Sequence, residues 1–440
     1  MHDHFWKTIP AWQDVDEETF SSAQWQEKNA VTNTVALKRT LGDLVSLRFY
    51  EDVDCGIAKA PMAVRLSPYI IGLINWHGAA SDPLRRQFLP LGTELEDDHP
   101  ALAFDSLDEQ TDSPVPGLIH RYKNRVLMLA VDTCPVYCRF CTRSYAVGND
   151  VATLNKSKFP VNRTRWDAAL DYIRNTPSIE DVVISGGDAF RLKPSQITYI
   201  GESLLDIPHV RRFRFATKGL SVQPTKIVVD VEWTNALVDI AKQARRTRRE
   251  VSVQTHFNHP REVTKYTAQA MKILYDNNVH VRNQTVLQRF VNDTNETMSE
   301  LIAQLIRINI EPYYVYVCDL VTGIENLRTS LRVAIDLEKS IRGNFAGFNT
   351  PTWVVDLPGG GGKRDIHSFE YYDEDTGVAV FRSPSVKPGR DFLYFDPLHS
   401  LGEGARRLWG DAEATAKIVW AASNGTPFER PSGIASMAAQ

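Results

Sequence analysis

Residues 125–141 read RVLMLAVDTCPVYCRFC, an apolar run that ends in three closely spaced cysteines. The apolar half has the length and composition of a buried β-strand, predicted at Arg125–Asp132. Pro135 disfavours a helix directly after the strand, although the spacing of Cys134, Cys138 and Cys141 would also place three thiols on one helix face. The stretch therefore predicts a strand that delivers three thiols to a loop.

The same alternation of short apolar runs and longer segments of helical period continues from about residue 120 to residue 360. It is typical of βα units around a parallel sheet, and six such units predict an α/β barrel, closed or partial. Functional groups in this architecture collect at the carboxyl ends of the strands. The predicted strands are Arg125–Asp132, Asp181–Ser185, Arg211–Thr217, Glu250–His256, His280–Leu287, Glu311–Asp319 and Thr352–Asp356.

Three regions are predicted along the chain. Residues 1–115 have the apolar stripes of helices and carry no chemistry of their own. Residues 116–356 form the barrel, and residues 357–440 form a C-terminal segment with a β-hairpin that turns near positions 375–377. The last twenty residues are expected to be loosely ordered.

Composition indicates a soluble globular protein. The chain has 440 residues, 43% of them hydrophobic and 24% charged, with a formal net charge of −4. No apolar run reaches the roughly 18 to 20 residues of a membrane span, and the polar N-terminus is unlike a signal peptide. The one basic run, residues 245–249, fits a solvated helix end. We therefore expect a cytoplasmic protein with no membrane or nucleic-acid partner.

The cysteine content favours a cofactor site over disulfides. The chain has five cysteines, an odd number, and three of them lie within residues 134–141. Three thiolates suit a 4Fe–4S cluster that keeps one iron open. Two alternatives remain: buried core thiols, and a zinc site that His256 and His259 would have to complete, because structural zinc takes four ligands.

Lys363 follows four glycines in LPGGGGK, residues 357–363. A phosphate-binding loop is excluded because Leu357 stands where its first glycine is required and Arg364 where it needs serine or threonine. A glycine arm would let the backbone approach a cofactor and let the lysine form a Schiff base with an aldehyde. Arg121 and Arg125 are then candidates for a cofactor phosphate. The alternatives are a solvated lysine and arginines that serve solubility.

A second glycine motif, Gly186, Gly187 and Asp188, follows the second predicted strand. Glycine and aspartate are common turn residues, so a tight turn is the ordinary interpretation. Exposed backbone and a carboxylate beside a cofactor loop would also suit a ligand's ammonium group.

The segment CPVYCRFCTR fits the CxxxCxΦC signature of radical S-adenosylmethionine (SAM) enzymes, with Phe140 at the aromatic position. DSPVPGLIHRY, RNTP, SGGDA, THFNHP, NQTVL, PYYVYVCDL and VVDLPGGGGK follow in order along the chain. With these motifs the chain resembles the lysine 2,3-aminomutase family from about residue 60 to residue 365. The resemblance implies a partial (β/α)6 TIM-like barrel with an N-terminal helical region and a C-terminal extension.

The resemblance also implies cofactors and their contacts. Cys134, Cys138 and Cys141 would bind a 4Fe–4S cluster whose open iron chelates SAM. The implied SAM contacts are Phe140 near the adenine, Gly186, Gly187 and Asp188 at the methionyl ammonium, and His256 and Gln284. The implied pyridoxal phosphate and substrate contacts are Lys363 on the aldehyde, Arg121 and Arg125 on the phosphate, Arg143 on the substrate carboxylate, and Asp319 and Asp356 on its distal ammonium.

The implied reaction moves the α-amino group of a basic L-amino acid to its β-carbon, after SAM is cleaved reductively to a radical. Asp319 and Asp356 would be costly together unless a cation joins them, so L-lysine is the first expected substrate and L-arginine the alternative. As the ordinary alternative, the two aspartates are strand-end caps or ion-pair partners. A zinc-organised binding protein without activity is the remote alternative.

The chain departs from the family in its tail. Common bacterial members place zinc-binding cysteines after the pyridoxal lysine, whereas the last cysteine here is Cys318. No structural zinc is expected, and the missing cysteines weaken the inference that this chain forms the family's tetramer. The expected partners are a basic amino acid, a reductant such as flavodoxin or ferredoxin, and a second copy of the chain in a homo-oligomer.

Overall fold

The computed structural model describes residues 4–426 and residue 428. The predicted loose order of the last twenty residues concerns mostly positions outside these ranges. The strands are β1 (Leu118–Tyr122), β2 (Arg125–Val131), β3 (Asp181–Gly186), β4 (Arg212–Ala216), β5 (Glu250–Thr255), β6 (His280–Leu287), β7 (Glu311–Val317), β8 (Thr352–Leu357), β9 (Gly362–Asp365), β10 (Phe369–Asp373), β11 (Val378–Arg382) and β12 (Asp391–Phe395).

The α-helices fall into three groups along the chain. Those before the barrel are α1 (Glu17–Ser21), α2 (Ala23–Lys28), α3 (Thr34–Leu41), α4 (Leu47–Lys59), α5 (Pro68–Leu73) and α6 (Pro83–Phe88). Those of the barrel are α7 (Arg163–Arg174), α8 (Pro194–Leu205), α9 (Gly219–Val222), α10 (Thr225–Val229), α11 (Val231–Arg246), α12 (Lys265–Asp276), α13 (Asn295–Arg307) and α14 (Leu331–Ile341). The last two are α15 (Glu403–Trp409) and α16 (Ala412–Ser423).

The central sheet has nine strands in the order β1 to β9. Strands β2 to β8 are parallel neighbours, whereas β1 and β9 pair antiparallel at the two edges. Helices α7, α8, α11, α12, α13 and α14 lie on the crossovers and complete six βα units. In the described part of the chain β1 and β9 each have one partner strand, so the barrel is open. The predicted partial (β/α)6 barrel is confirmed.

All seven predicted barrel strands are present, and β6 has the predicted bounds. The sequence did not predict β1, β9 or β12. β1 and β9 are only five and four residues long, and each depends on a partner strand rather than on an apolar pattern of its own. The antiparallel edges therefore came from pairing that local sequence does not reveal.

Helix α11 illustrates how local sequence sets the barrel's outer layer. Asp230 accepts a hydrogen bond from the Trp233 N–H at 3.1 Å and caps the helix. Its buried face includes Leu237 and Ile240, and each such side chain contributes about 1.5–3 kcal/mol when fully buried. The basic run begins within its last turn, as predicted.

The N-terminal helices form a core of their own that rests on the cysteine loop. Trp6 and Phe20 stack with ring centroids 4.1 Å apart inside it. Val136, from the loop between the first two cysteines, is buried in the same cluster. The N–H of Tyr137 donates to the carbonyl of Arg65 at 3.0 Å, and that of Arg139 donates to the carbonyl of Gln87 at 2.9 Å. This region therefore supports the loop rather than standing apart from it.

The predicted C-terminal hairpin is confirmed in β10 and β11, which pair antiparallel up to Asp373 and Val378. Strand β12 adds a third member, and Phe381 and Tyr394 belong to the same hydrophobic cluster as the barrel. In the described ranges no helix is long and apolar enough to cross a membrane. The division at residues 115 and 356 stays a prediction.

Candidate active site

A cavity of about 300 Å³ is lined by residues along the length of the parallel strands, from Arg125 at the start of β2 to Asp319 just after β7 and Asp356 near the end of β8. Nine of the residues predicted for the site line it: Arg121, Arg125, Phe140, Arg143, His256, Gln284, Asp319, Asp356 and Lys363. Residues from β1, β6, β7, β8 and β9 and from the cysteine loop thus face one space, although they are far apart in sequence.

Lys363 lies on β9, directly opposite Asp356 on β8. Its Nζ donates to Asp356 Oδ2 at 2.6 Å, and its backbone N–H donates to the Tyr122 hydroxyl oxygen at 2.9 Å. Burial lowers the pKa of Lys363, but the charge of Asp356 outweighs this and holds the pKa well above its ordinary value. Without a ligand, the cavity therefore contains a charged lysine held by a buried carboxylate.

The glycine run forms a tight return rather than the open arm expected from the sequence. Gly359, Gly360 and Gly362 have φ of 69°, 82° and 78°, a region that L side chains rarely adopt. A Cβ at Gly360 would lie 2.5 Å from Lys387 Nζ and 3.4 Å from Arg121 Nε. Glycine is therefore needed to bring the chain back beside β8, where Lys363 pairs with Asp356.

Asp319 and Asp356 each keep one buried oxygen without a partner. The Thr142 hydroxyl donates to Asp319 Oδ2, while Oδ1 of both aspartates has no hydrogen bond in the described structure. Burial, followed by the charge of Asp356, raises the pKa of Asp319 to about 7. The ordinary interpretation holds for Asp356 in part, because it is the ion-pair partner of Lys363. Two free oxygens in one cavity still favour a cation.

Arg143 is held by an acidic residue that sequence reasoning missed. Its Nη2 donates to Glu109 Oε1 at 2.7 Å, and the Tyr145 hydroxyl donates to Glu109 Oε2 at 3.1 Å. Burial lowers the pKa of Arg143, but Glu109 raises it further. Arg143 lines the cavity, and its buried Nε has no partner, so the guanidinium keeps an unused donor.

Several cations gather near the glycine run. Arg121 Nε donates to Asp112 Oδ2 at 2.7 Å, and Lys387 Nζ lies 3.4 Å from Asp112 Oδ1. The Arg125 guanidinium stands 4.0 Å from the ring centre of Tyr122. Positive charge at this position suits a phosphate group, since guanidinium groups bind phosphate in two-pronged fashion.

The three cysteine thiols are free and close to one another. Burial is the main factor that raises the pKa of Cys134, Cys138 and Cys141, and it brings Cys138 to about 12. The charges of Cys138 and Cys141 raise the pKa of Cys134 further, which places all three within electrostatic reach. Such thiols are held protonated unless a metal centre takes them as thiolates, so the donor set fits a cluster.

A site for a single metal ion needs its ligands closer together than a cluster site does. Among the described residues, no group of three or more His, Cys, Asp or Glu side chains could hold one metal ion. A cluster asks less of the spacing, because each cysteine binds a separate iron.

The residues predicted to contact SAM lie in two places. The rings of Phe140 and His256 face each other in the cavity with centroids 5.5 Å apart, and Gln284 Nε2 donates to Gln254 Oε1 at 3.3 Å. His256 Nε2 lies 3.0 Å from Asn258 Oδ1, and burial lowers its pKa well below the ordinary value.

Gly186, Gly187 and Asp188 lie at the end of β3 and do not line the cavity. A Cβ at Gly187 would collide with the Thr133 backbone, so glycine lets β3 end against the start of the cysteine loop. Asp188 is buried, and its oxygens accept from the N–H groups of Phe190 and Lys218 at 2.8 Å. These contacts give Asp188 a structural role at the loop, and its role toward SAM stays a prediction.

Comparison with known proteins identifies the family. No family model matches the chain. L-lysine 2,3-aminomutase of Clostridium subterminale is 38% identical over 356 residues, which cover 80% of each chain. The protein of that name from Acetoanaerobium sticklandii is 36% identical over 371 residues, or 84% of each chain. The chain belongs to the lysine 2,3-aminomutase family.

This aminomutase is accordingly an enzyme of the isomerase class. Glutamate 2,3-aminomutase of Clostridioides difficile is also similar, at 30% identity over 367 residues that cover 83% of this chain and 81% of the relative. Among solved structures, "Native anSMEcpe with bound AdoMet and Kp18Cys peptide" has a TM-score of 0.37 at 11% identity, covering 50% of this chain and 58% of the other. That similarity is too low to bear on the site.

Sequence analysis missed further polar residues of the aminomutase cavity, among them Glu109, Tyr122, Thr142 and Tyr316. Tyr122 and Thr142 each adjoin a residue that was predicted, Arg121 and Arg143. The Tyr316 ring centre lies 5.5 Å from Lys363 Nζ, and Tyr316 alternates with buried residues along β7. That alternation is the one signal that would have pointed to Tyr316.

Proposed function

We propose that this aminomutase converts a cationic L-amino acid to its β-isomer, with L-lysine to β-lysine as the first choice. One observation carries the proposal: Asp319 and Asp356 both line the cavity, and each has a buried oxygen, Oδ1, without a partner. Buried carboxylates are stable when a cation joins them. A substrate with an acidic side chain, as the name of the glutamate relative implies for that enzyme, would be repelled here.

The residues present fit the cofactors that the family implies. Cys134, Cys138 and Cys141 would hold a 4Fe–4S cluster, and Phe140, His256 and Gln284 would contact SAM beside it. Lys363 would hold pyridoxal phosphate, with Arg121 and Arg125 on its phosphate. When bound, these groups supply radical hydrogen abstraction and an electron-accepting π system.

Asp356 would exchange one cation for another. In the structure Asp356 accepts a hydrogen bond from Lys363 Nζ. This ammonium carries the same charge as the side-chain ammonium of a lysine substrate. If Lys363 turns toward the cofactor, Asp356 loses its partner, and a substrate ammonium can take the vacated position. Thr142 keeps Asp319 oriented toward the same space, while Arg143, fixed by Glu109, offers its free Nε to the substrate carboxylate.

L-arginine is the second candidate, and the same two aspartates support it. A guanidinium is planar and presents several donors in fixed directions, so it can join two separate carboxylate oxygens at once. An ammonium satisfies the same oxygens as a compact point charge. The cavity thus favours a cation, and the choice between these two depends on the length of the substrate side chain.

The deciding experiment is anaerobic reconstitution with iron and sulfide, followed by SAM, pyridoxal phosphate, dithionite and one amino acid at a time. L-lysine or L-arginine should give a β-amino isomer of unchanged mass, resolved by chromatography and mass spectrometry, and L-glutamate should not react. The Asp319→Asn enzyme serves as the matched control and should lose most of the activity. Conversion of a neutral or acidic amino acid, with neither basic one converted, would refute the two-aspartate argument.

The remaining proposals concern the enzyme's setting. A reducing compartment such as the cytoplasm is supported by five free cysteines in the described structure. A flavodoxin or ferredoxin would supply the electron, and a homo-oligomer without structural zinc is proposed. Iron, zinc and sulfide analysis of the anaerobic protein tests the lack of structural zinc, and light scattering tests the oligomeric state.

A further inference from the structure

Lys156 is a buried lysine beside the cysteine loop that the proposed reaction does not use. The residue is 7% exposed. Its Nζ donates to the Val147 carbonyl oxygen at 2.7 Å and lies 3.3 Å from Met62 Sδ. Both partners are uncharged, so these contacts fix the position of the ammonium without neutralising it.

The two partners of Lys156 pack directly on the cysteines. Met62 and Val147 form one small hydrophobic cluster against which Cys134 and Cys141 pack. The ammonium therefore contacts two members of the hydrophobic cluster that packs on two of the three thiols.

The described structure gives Lys156 no carboxylate partner within ion-pair distance. Asp150 accepts a hydrogen bond from the backbone N–H of Lys156 but does not contact the Lys156 ammonium. The Asp150 carboxylate instead forms an ion pair with the exposed Lys158 at 2.8 Å. A second lysine near the loop, Lys218, differs because Glu262 lies 3.1 Å from its Nζ. A buried ammonium without a counter-ion is costly, since burial removes its hydration. A negatively charged group nearby would offset this cost.

We propose that the Lys156 ammonium offsets the negative charge of the three cysteine thiolates. This fixed cation raises the reduction potential of the cluster that the thiolates hold. This inference rests on the proposed cluster. Reduction adds one electron, from dithionite in vitro, and no bond forms or breaks in the protein. A fixed cation favours the more negative, reduced state, and net charge is one factor that sets such potentials.

The test is a dithionite titration of the reconstituted cluster, followed by electron paramagnetic resonance, in wild type, Lys156→Met, Lys156→Gln and Lys156→Arg. The matched control is Lys158→Met, which removes one positive charge from an exposed lysine two residues away. At a fixed potential, the ratio of reduced to oxidised cluster should fall about tenfold in Lys156→Met and Lys156→Gln, or ~59 mV for a one-electron couple. Lys156→Arg and Lys158→Met should stay close to wild type.

Each outcome has one meaning. An unchanged midpoint in both neutral variants overturns the role of Lys156. Loss of iron and sulfide from both neutral variants with retention in Lys156→Arg supports charge compensation, whereas loss from all three Lys156 variants indicates packing alone and overturns it. A wild-type protein that binds no iron and sulfide refutes the proposed cluster itself, a result distinct from failure of the inference.

Discussion

At the residue scale, the pair formed by Lys363 and Asp356 changes how the site is understood. Sequence analysis predicted Lys363 as the residue that binds the cofactor aldehyde and Asp356 as a substrate contact. The structure joins them at 2.6 Å on adjacent strands. Under the proposed function, a cationic substrate would take the position on Asp356 that Lys363 occupies in the structure.

Substitution of Lys363 by alanine tests the anchor. The variant should bind no pyridoxal phosphate that survives gel filtration, because the only amine proposed to bond the aldehyde is gone, and the visible absorption band should disappear. Lys272→Ala, which removes a lysine paired with Asp276 on the protein surface, should keep the band. A Lys363→Ala protein that retains the band would rule out this lysine as the anchor.

Asp319 predicts a pH dependence of substrate recognition. Its pKa is raised to about 7, so it is protonated below that pH and ionised above it. A cationic substrate needs the ionised form, and the KM for lysine should therefore fall as pH rises from 6 to 8, by up to about tenfold per pH unit below pH 7. Asp319→Asn should abolish this slope; an unchanged slope would assign it to another group.

The same shift has a consequence for stability. A carboxyl group whose folded-state pKa exceeds its unfolded value binds its proton more tightly in the folded protein. For Asp319, the free energy of unfolding of the ligand-free enzyme should therefore decrease as pH rises from about 4 to about 7, and this contribution should vanish in Asp319→Asn.

At the element scale, the parallel strands were predictable and the antiparallel edges were not. Strands β2, β3 and β8 carry nearly continuous apolar runs, as expected where both faces of a parallel sheet are buried. Strand β4 instead alternates polar with apolar residues, and either pattern predicts a strand. Strand β9 consists of Gly362, Lys363, Arg364 and Asp365, which has no such pattern. Its existence depends on pairing with β8 and on the positive φ of the preceding glycines, so the sequence suggested an arm where the structure has a strand.

Gly360→Ala tests the tight return. A positive φ and the nearby Lys387 and Arg121 side chains oppose a methyl group, so the variant should lose about 1–3 kcal/mol of unfolding free energy. It should also bind pyridoxal phosphate less well, because Lys363 would shift. Gly347→Ala, at an exposed glycine with open space around it, should be near neutral in urea unfolding. Equal effects of the two substitutions would contradict the requirement for glycine at position 360.

At the scale of the whole molecule, the N-terminal helices pack on the cysteine loop that is proposed to hold the cluster. Sequence analysis found no chemistry in residues 1–115, and no reacting group is proposed there. The helices nevertheless bury Val136 of the cysteine loop and bond its backbone. These contacts join residues about fifty to seventy positions apart, a range at which local patterns carry no information. Motif spacing therefore predicts the cluster ligands, but it could not reveal which residues support their loop.

Val136→Ala tests that support. Loss of two buried methyl groups should cost about 1–3 kcal/mol in unfolding free energy and lower the iron and sulfide bound after reconstitution. Val182→Ala is the matched control, because Val182 is equally buried but lies on β3 within the barrel core. It should lose similar stability and keep its iron. Equal iron content in both variants would show that the N-terminal helices do not support the loop.

The two hydrogen bonds that fix the cysteine loop run between backbone atoms, from Tyr137 to Arg65 and from Arg139 to Gln87. Side chains at these four positions can therefore change during evolution while the attachment is kept. Proline is the exception at positions 137 and 139, because it has no N–H to donate. A chain with a different sequence in its first hundred residues can thus hold the same loop, provided that its backbone carbonyl groups lie within hydrogen-bond distance of the loop's N–H groups.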